Sequence, residues 1–377
     1  MRSLCLLILL GVPATSQDAQ PGTTGPLRDP DFFPLAVWLQ DTRNVAAYQN
    51  AGINTYVALW KGPNREQFDA LKAAGLKLVC HQNEFGLAQK NDPTILAWMH
   101  GDEPDNAQPI QGGGYGPPIL PAKIIADYQK IREADPTRPV LLNLGQGVAW
   151  DKYIGRGTRS NHPEDYAEYM KGGDIVSFDI YPAVHDHADI AGKLYKVPEG
   201  VDRLRRWSEG KKIVWNCIEA SRISNEAVKP SAAQVKTEVW MSIIHGSTGL
   251  IYFVHQFKPK FVEASLLQDV ELLAGVTAIN QQIQSLAPVL NSPTPVDGLT
   301  VKTSDPEAPV DAIAKRQGGA TYVFSVAMRE KAAKASFLVK DAKGEVEVLG
   351  ENRRLPLKDG AFEDEFKPYE VHLYRIR

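Results

Sequence analysis

The stretch Ile95-Leu96-Ala97-Trp98-Met99-His100-Gly101-Asp102-Glu103-Pro104 decides the fold. Five consecutive apolar residues, too few for a typical helix, run into two carboxylates and a proline. A run that is apolar at every position predicts a strand buried on both faces, over 95–101, as in a parallel sheet covered by helices. Charge gathered at one end of such a strand marks the edge where barrel folds of this kind carry their chemistry.

Working outward, seven further apolar runs have the same character: 34–39, 54–60, 76–81, 139–144, 174–181, 212–219 and 249–254. Amphipathic segments separate them and carry start and stop signals. Asp41 is placed to cap a helix ending at Gly52, Asn64 one ending at Gly75, and Ser231 one ending at Gly246. Before the fourth strand only 84–90 has helical character, and Asp92-Pro93 stops it. Eight strand–helix units in about 250 residues is the size of a closed barrel. An open doubly wound sheet would carry a glycine-rich turn after its first strand, and Leu39-Gln40-Asp41 is not one.

The expected architecture is therefore α/β: a (β/α)8 TIM barrel over 31–290, a linker at 291–295, and a small antiparallel β-sandwich over 296–377. The sandwich is read from short runs at 299–303, 312–315, 321–327, 336–339, 345–349 and 370–374, with turns at Gly318-Gly319, 341–344 and Asp359-Gly360. It is expected to pack on the barrel and stabilise it.

The 377 residues include 42 basic and 45 acidic side chains, a net charge of -3. That balance offers no basic face for nucleic acid or a membrane surface. Arg2, the apolar run at 6–10 and the small residues Ala14-Thr15-Ser16 read as a signal peptide over 1–16, followed by a flexible leader over 17–30. The expected location is secreted or periplasmic. No later segment is long and apolar enough to span a bilayer. Of three cysteines, Cys5 leaves with the signal, and Cys80 and Cys217 fall in strands on opposite sides of the barrel, which predicts two buried thiols rather than a disulfide.

In such a barrel the catalytic groups sit at the C-terminal strand ends. Those ends supply Trp60 and Lys61; His81 and Gln82; Asp102 and Glu103; Gln146; Asp179 and Tyr181; Glu219; and His255. Two glutamates each close an apolar strand, where a lone charge is costly without a partner or a task. Glycoside cleavage needs such a pair, one carboxyl protonated to donate to the leaving oxygen and one ionised. Trp150 and Tyr115, on the loops after the fifth and fourth strands, are candidate sugar-stacking residues.

Trp98-Met99-His100-Gly101-Asp102-Glu103-Pro104 resembles the strand-four signature of the clan A glycoside hydrolases, and Trp215-Asn216-Cys217-Ile218-Glu219-Ala220-Ser221 resembles their strand-seven end. The resemblance implies Glu103 as acid/base and Glu219 as nucleophile of a retaining hydrolase of β-linked oligo- or polysaccharide. It implies no cofactor or metal, and a carbohydrate as the partner. It also places Tyr181 at a position that hydrogen-bonds the nucleophile. The chain departs from the clan where Asp102 replaces the usual asparagine, a change that would raise the pKa of Glu103. It departs again where Phe253, Val254 and His255 replace the strand-eight tryptophan. Two alternatives stay open: a metal-assisted hydrolase using His81, His185, His187 or Asp179, and a non-catalytic carbohydrate-binding protein.

Overall fold

The computed structural model describes residues 26–295 and 297–377; the expected signal peptide and most of the leader lie outside the described residues. Six parallel strands lie side by side in chain order: β1 (Leu35–Trp38), β2 (Thr55–Val57), β3 (Lys77–Cys80), β4 (Ile95–Met99), β5 (Val140–Leu144) and β6 (Ile175–Phe178). The seventh strand comes in two pieces, β7 (Ile213–Val214) and β8 (Asn216–Glu219). β7 pairs with β6, whereas β8 pairs with β9 (Leu250–Phe253), which pairs in turn with β1. Trp215 between the pieces still donates its N–H to the Val176 carbonyl (3.0 Å). The sheet therefore closes on itself as an eight-stranded barrel.

The uniform apolarity of the strands has the expected cause. Ala36, Val57, Val79, Ala97, Leu141, Trp215, Cys217 and Ile251 fill the barrel interior. Val37, Tyr56, Leu78, Trp98, Leu142, Val176, Ile218 and Tyr252 point outward into a larger core shared with the helices. Cys80 faces that outer core and Cys217 the interior, and both are free and buried. Asn64 and Ser231 form full capping boxes with Gln67 and Gln234, opening the helices Arg65–Ala73 and Ala232–Ile244. Gly246, at φ 107°, closes the second in a conformation that glycine tolerates. No helix among the described residues is long and apolar enough to cross a membrane.

The C-terminal region forms two antiparallel sheets. One holds β10 (Leu299–Thr303), β13 (Ala333–Val339) and β16 (Ala361–Phe366); the other holds β11 (Val310–Gln317), β12 (Ala320–Ala327), β14 (Val346–Val348), β15 (Arg353–Leu355) and β17 (Val371–Ile376). They face each other across one core, with Tyr374 against Phe337 (5.5 Å) and Phe362 (4.9 Å). β15 and β16 were not expected. Their alternation is hidden because an inward position of β16 is Asp364, which takes both guanidinium nitrogens of Arg353 (2.9 and 2.8 Å) and the Tyr374 hydroxyl (2.9 Å). The five-stranded sheet packs on helix Ala232–Ile244, where Phe324 meets Trp240 (5.2 Å) and Thr237 donates to the Tyr369 carbonyl (2.6 Å).

Candidate active site

A cleft of about 880 Å³ opens at the C-terminal ends of the strands. Asp102, Glu103, Asn143, Asp179 and Cys217 are among the polar groups that line it, with Trp38, Trp60, Tyr181, Phe253, His255, Phe257 and Phe261 among its rings. Trp60, Phe257 and Phe261 are 71%, 48% and 60% exposed, large apolar surfaces left uncovered around one opening. Phe261 stacks on His255 (5.8 Å, 20° between planes) and lies 5.7 Å from Phe257.

The carboxylates are set by the turn after β4. Glu103 adopts φ 42°, the left-handed region, where a side-chain-bearing residue costs about 1–3 kcal/mol. The turn is held in place by its backbone: Glu103 donates its N–H to Asn143 O (3.1 Å) and accepts at its carbonyl from Asn106 N (3.1 Å). Asp105, fully buried, anchors the same turn from below. It accepts from Gly145 N (2.9 Å) and the Tyr166 hydroxyl (2.7 Å), and its carbonyl takes the Arg156 Nε–H (3.3 Å).

The electrostatics follow from this crowding. Asp102 accepts from the Asn143 amide (3.0 Å), and Asn143 is oriented by the Ser177 hydroxyl on its oxygen (2.7 Å). Loss of solvation pushes Asp102 up to about 6, the Asn143 bond opposing and the Asp105 charge adding to the rise. Glu103 is raised to about 7, chiefly by desolvation. A hydrogen bond from Asp179 opposes that rise, and the charges of Asp102 and Asp105 reinforce it. Asp179 is raised well above the usual carboxylate range by burial and by the Glu103 charge beside it. Its Oδ1 finds no donor among the described residues. Two carboxyls in contact do not both ionise at neutral pH, so Asp179 keeps its proton and donates it in the hydrogen bond, and Glu103 is the member of the pair that gains and loses a proton near neutrality.

The expected site residues divide into those brought to the cleft and those placed elsewhere. Asp102, Glu103, Asp179, Tyr181, Trp60 and His255 line it. Glu219, expected opposite Glu103, does not. Its side chain is 0% exposed, with Oε1 on Ala183 N (2.6 Å), Oε2 on Val184 N (2.9 Å) and a hydrogen bond to Glu238, a residue of helix Ala232–Ile244. Tyr181, expected to bond Glu219, instead contacts the Cys217 thiol and packs on Phe253 (5.3 Å). Gln82 donates to Ile131 O (3.0 Å), and Gln146 bonds His185 (3.0 Å). Trp150 is buried against His185 and His187 (5.6 and 4.6 Å). His81 is exposed at the end of β3 and Tyr115 is 77% exposed on the loop after β4; neither lines the cleft. Among the described residues no three His, Cys, Asp or Glu side chains converge so as to hold a metal ion.

Other functional groups were not anticipated. Asn143 is legible in hindsight as the one amide inside the apolar strand Val140–Leu144. Gln40, Arg43, Phe261 and Glu263 gave no signal, since only barrel closure joins the first and last loops. There Gln40 bonds His255 (3.0 Å) and Glu263 O (3.0 Å), and Arg43 pairs with Glu263 (3.0 Å).

Neither a protein-family model nor a curated protein matches the chain. Solved structures do. One is the GH42 β-galactosidase Gan42B from G. stearothermophilus, 9% identical, with a TM-score of 0.56 over 92% of this chain and 98% of that one. Another is AmyP in complex with maltose, 10% identical, with a TM-score of 0.53 over 92% and 96%. The fold shared with them is the parallel barrel followed by antiparallel sheets. At such identities the likeness is one of architecture, and the chemistry has to be read from the cleft itself. That cleft offers a proton held by a carboxyl pair, a further carboxylate beside it, and exposed rings on its walls.

Proposed function

We propose that this protein is a glycoside hydrolase whose proton donor is Glu103, held by a hydrogen bond from Asp179, and whose ionised carboxylate is Asp102. The observation that carries the reading is the contact between Glu103 and Asp179 on the floor of an aromatic-walled cleft. A protonated carboxyl near neutral pH is what departure of a sugar alkoxide requires. Glu103 gives its proton to the glycosidic oxygen as the bond to the anomeric carbon breaks. Asp102, fixed by Asn143, meets the positive charge that grows on the ring. The exposed faces of Trp60, Phe257 and Phe261 stack on sugar rings.

This reading replaces Glu219 as nucleophile, because both its oxygens are occupied by the Ala183 and Val184 amides away from the cleft. A β-linked substrate rests on the resemblance of Trp98 to Pro104 to the clan A signature. Retention of configuration then requires Asp102 to attack the anomeric carbon, and inversion requires it to direct a water. The signal-peptide pattern of residues 1–16 supports export from the cytoplasm, and N-terminal sequencing of the exported form checks that.

The test is turnover of α- and β-linked aryl glycosides and oligosaccharides, with the first-formed anomer followed by NMR. Hydrolysis by the natural protein and its loss in Glu103→Gln is the expected result. Oligosaccharide binding without hydrolysis across the panel would overturn the proposal in favour of a binding protein.

A further inference from the structure

Glu219 and Glu238 form a second carboxyl pair, and nothing in the proposed chemistry uses it. Both are buried, 0% and 1% exposed, and neither Glu238 oxygen has a partner among the described residues other than Glu219. Among the described residues no cation contributes to the surroundings of either carboxyl. The location of the proton follows from the donors. Glu219 already accepts one N–H on each oxygen, so it is the ionised partner, and Glu238 is neutral and donates its O–H to it. One carboxylate thus gathers three donors: two backbone amides from the loop after β6 and one acid from the helix behind β8.

That loop begins at Asp179, the first residue after β6. Asp179 is fixed at one end by its N–H on Leu144 O (3.1 Å), and Ala183 and Val184 are fixed at the other by Glu219. Tyr181 lies between them and faces the cleft. The helix that supplies Glu238 is in turn backed by the C-terminal sheet through Trp240 on Phe324 and Thr237 on the Tyr369 carbonyl. A continuous chain of contacts therefore runs from the sandwich through Glu238 and Glu219 to the segment bearing Asp179.

We propose that the Glu219–Glu238 pair is a positioning clamp that holds the loop after β6 so that Asp179 stays in contact with Glu103. This rests on the reading of Glu103 and Asp179 as the proton-bearing pair. Neither Glu219 nor Glu238 touches substrate; both act through the loop. A misplacement of about 1 Å in a catalytic group costs on the order of 100-fold in rate, so loosening the clamp lowers kcat while leaving the stacking walls, and KM, in place.

The experiment compares Glu219→Gln, Glu238→Leu and Glu238→Gln in the full-length protein, each checked for folding by circular dichroism and thermal melting. Glu219→Gln sets an amide NH2 against one of the loop N–H groups, and Glu238→Leu removes the helix donor. For both, kcat is expected to fall about 10- to 100-fold with KM within about twofold, and the high-pH limb of kcat/KM to move. Glu238→Gln retains a neutral donor at the same reach and is expected to recover most of kcat. If Glu238→Leu does not fold, Glu219→Asp, one methylene too short to span both amides, asks the same question. Folded variants with unchanged kcat and an unchanged limb overturn the clamp. So does Glu219→Gln with no turnover at all and rescue by azide in Glu219→Ala, which would make Glu219 the nucleophile. Failure of the underlying acid assignment reads out separately, in Glu103→Gln.

Discussion

Glu103→Gln removes the transferable proton while keeping the side chain's length and shape. In the natural protein this carboxyl is raised from 4.5 to about 7. An ordinary glutamic acid is about 0.3% protonated at pH 7, whereas one titrating at about 7 is about half protonated, so the site increases the supply of acid by about 150-fold. General acid catalysis as a whole is worth on the order of 100- to 10,000-fold. On an alkyl glycoside, whose leaving group cannot depart as the anion, kcat/KM is therefore expected to fall by about that range, or about 3–5 kcal/mol. On a dinitrophenyl glycoside, whose leaving group needs no proton, the loss is expected to be far smaller. The pH profile supplies a second reading. Activity needs the protonated donor, so the natural protein's kcat/KM falls as pH rises through about 7, and the variant lacks that limb. Initial rates on the two glycosides across pH measure all three quantities. A folded variant that hydrolyses the alkyl glycoside at nearly the natural rate, with the limb intact, refutes the assignment of Glu103.

Asp179→Leu deletes the hydrogen bond from Asp179 that opposes the rise at Glu103. Without that donor Glu103 holds its proton more tightly, and the high-pH limb of kcat/KM is expected to move up by on the order of one pH unit; a stationary limb contradicts the contact between the two acids. Trp60→Ala deletes a ring that is 71% exposed at the cleft. Its loss is expected to weaken substrate binding about 5- to 30-fold, from about 1–2 kcal/mol of stacking and contact, with little change in melting temperature. Unaltered KM on oligosaccharides would remove Trp60 from the sugar path.

The barrel was legible because its determinants are local. Strands apolar at every position, such as Ile95–Met99 and Val140–Leu144, announce burial on both faces, and the caps at Asn64 and Ser231 fix where helices begin. What stayed hidden depends on pairing at a distance. The break at Trp215 reflects a strand that changes neighbours, and β16 conceals its alternation behind Asp364, a buried acid satisfied by Arg353 from another strand. The site divides the same way. Its strand-end acids could be read from position alone, and Asp102, Glu103 and Asp179 are in the cleft. The direction a terminal side chain takes is set by donors from elsewhere, and for Glu219 those are the amides of Ala183 and Val184, 36 and 35 residues away.

The two carboxyl pairs obey the same electrostatics and differ in access. In each, contact between two acids keeps one proton in place near neutrality. Glu103 and Asp179 sit on the floor of an open cleft, among Asp102 and Asp105, whose charges make the proton easy to hold at neutral pH and whose opening lets it leave. Glu219 and Glu238 are sealed from solvent, and the three donors converging on Glu219 leave its charge nowhere to act. An acid closing an apolar strand must be satisfied, and satisfaction takes either form. Where the donors come from fixed backbone and a neutral neighbour, the acid becomes part of the scaffold. Where its partner is another acid and its free edge faces a cavity, as at Glu103, the same cost of burial is turned into a proton available for transfer.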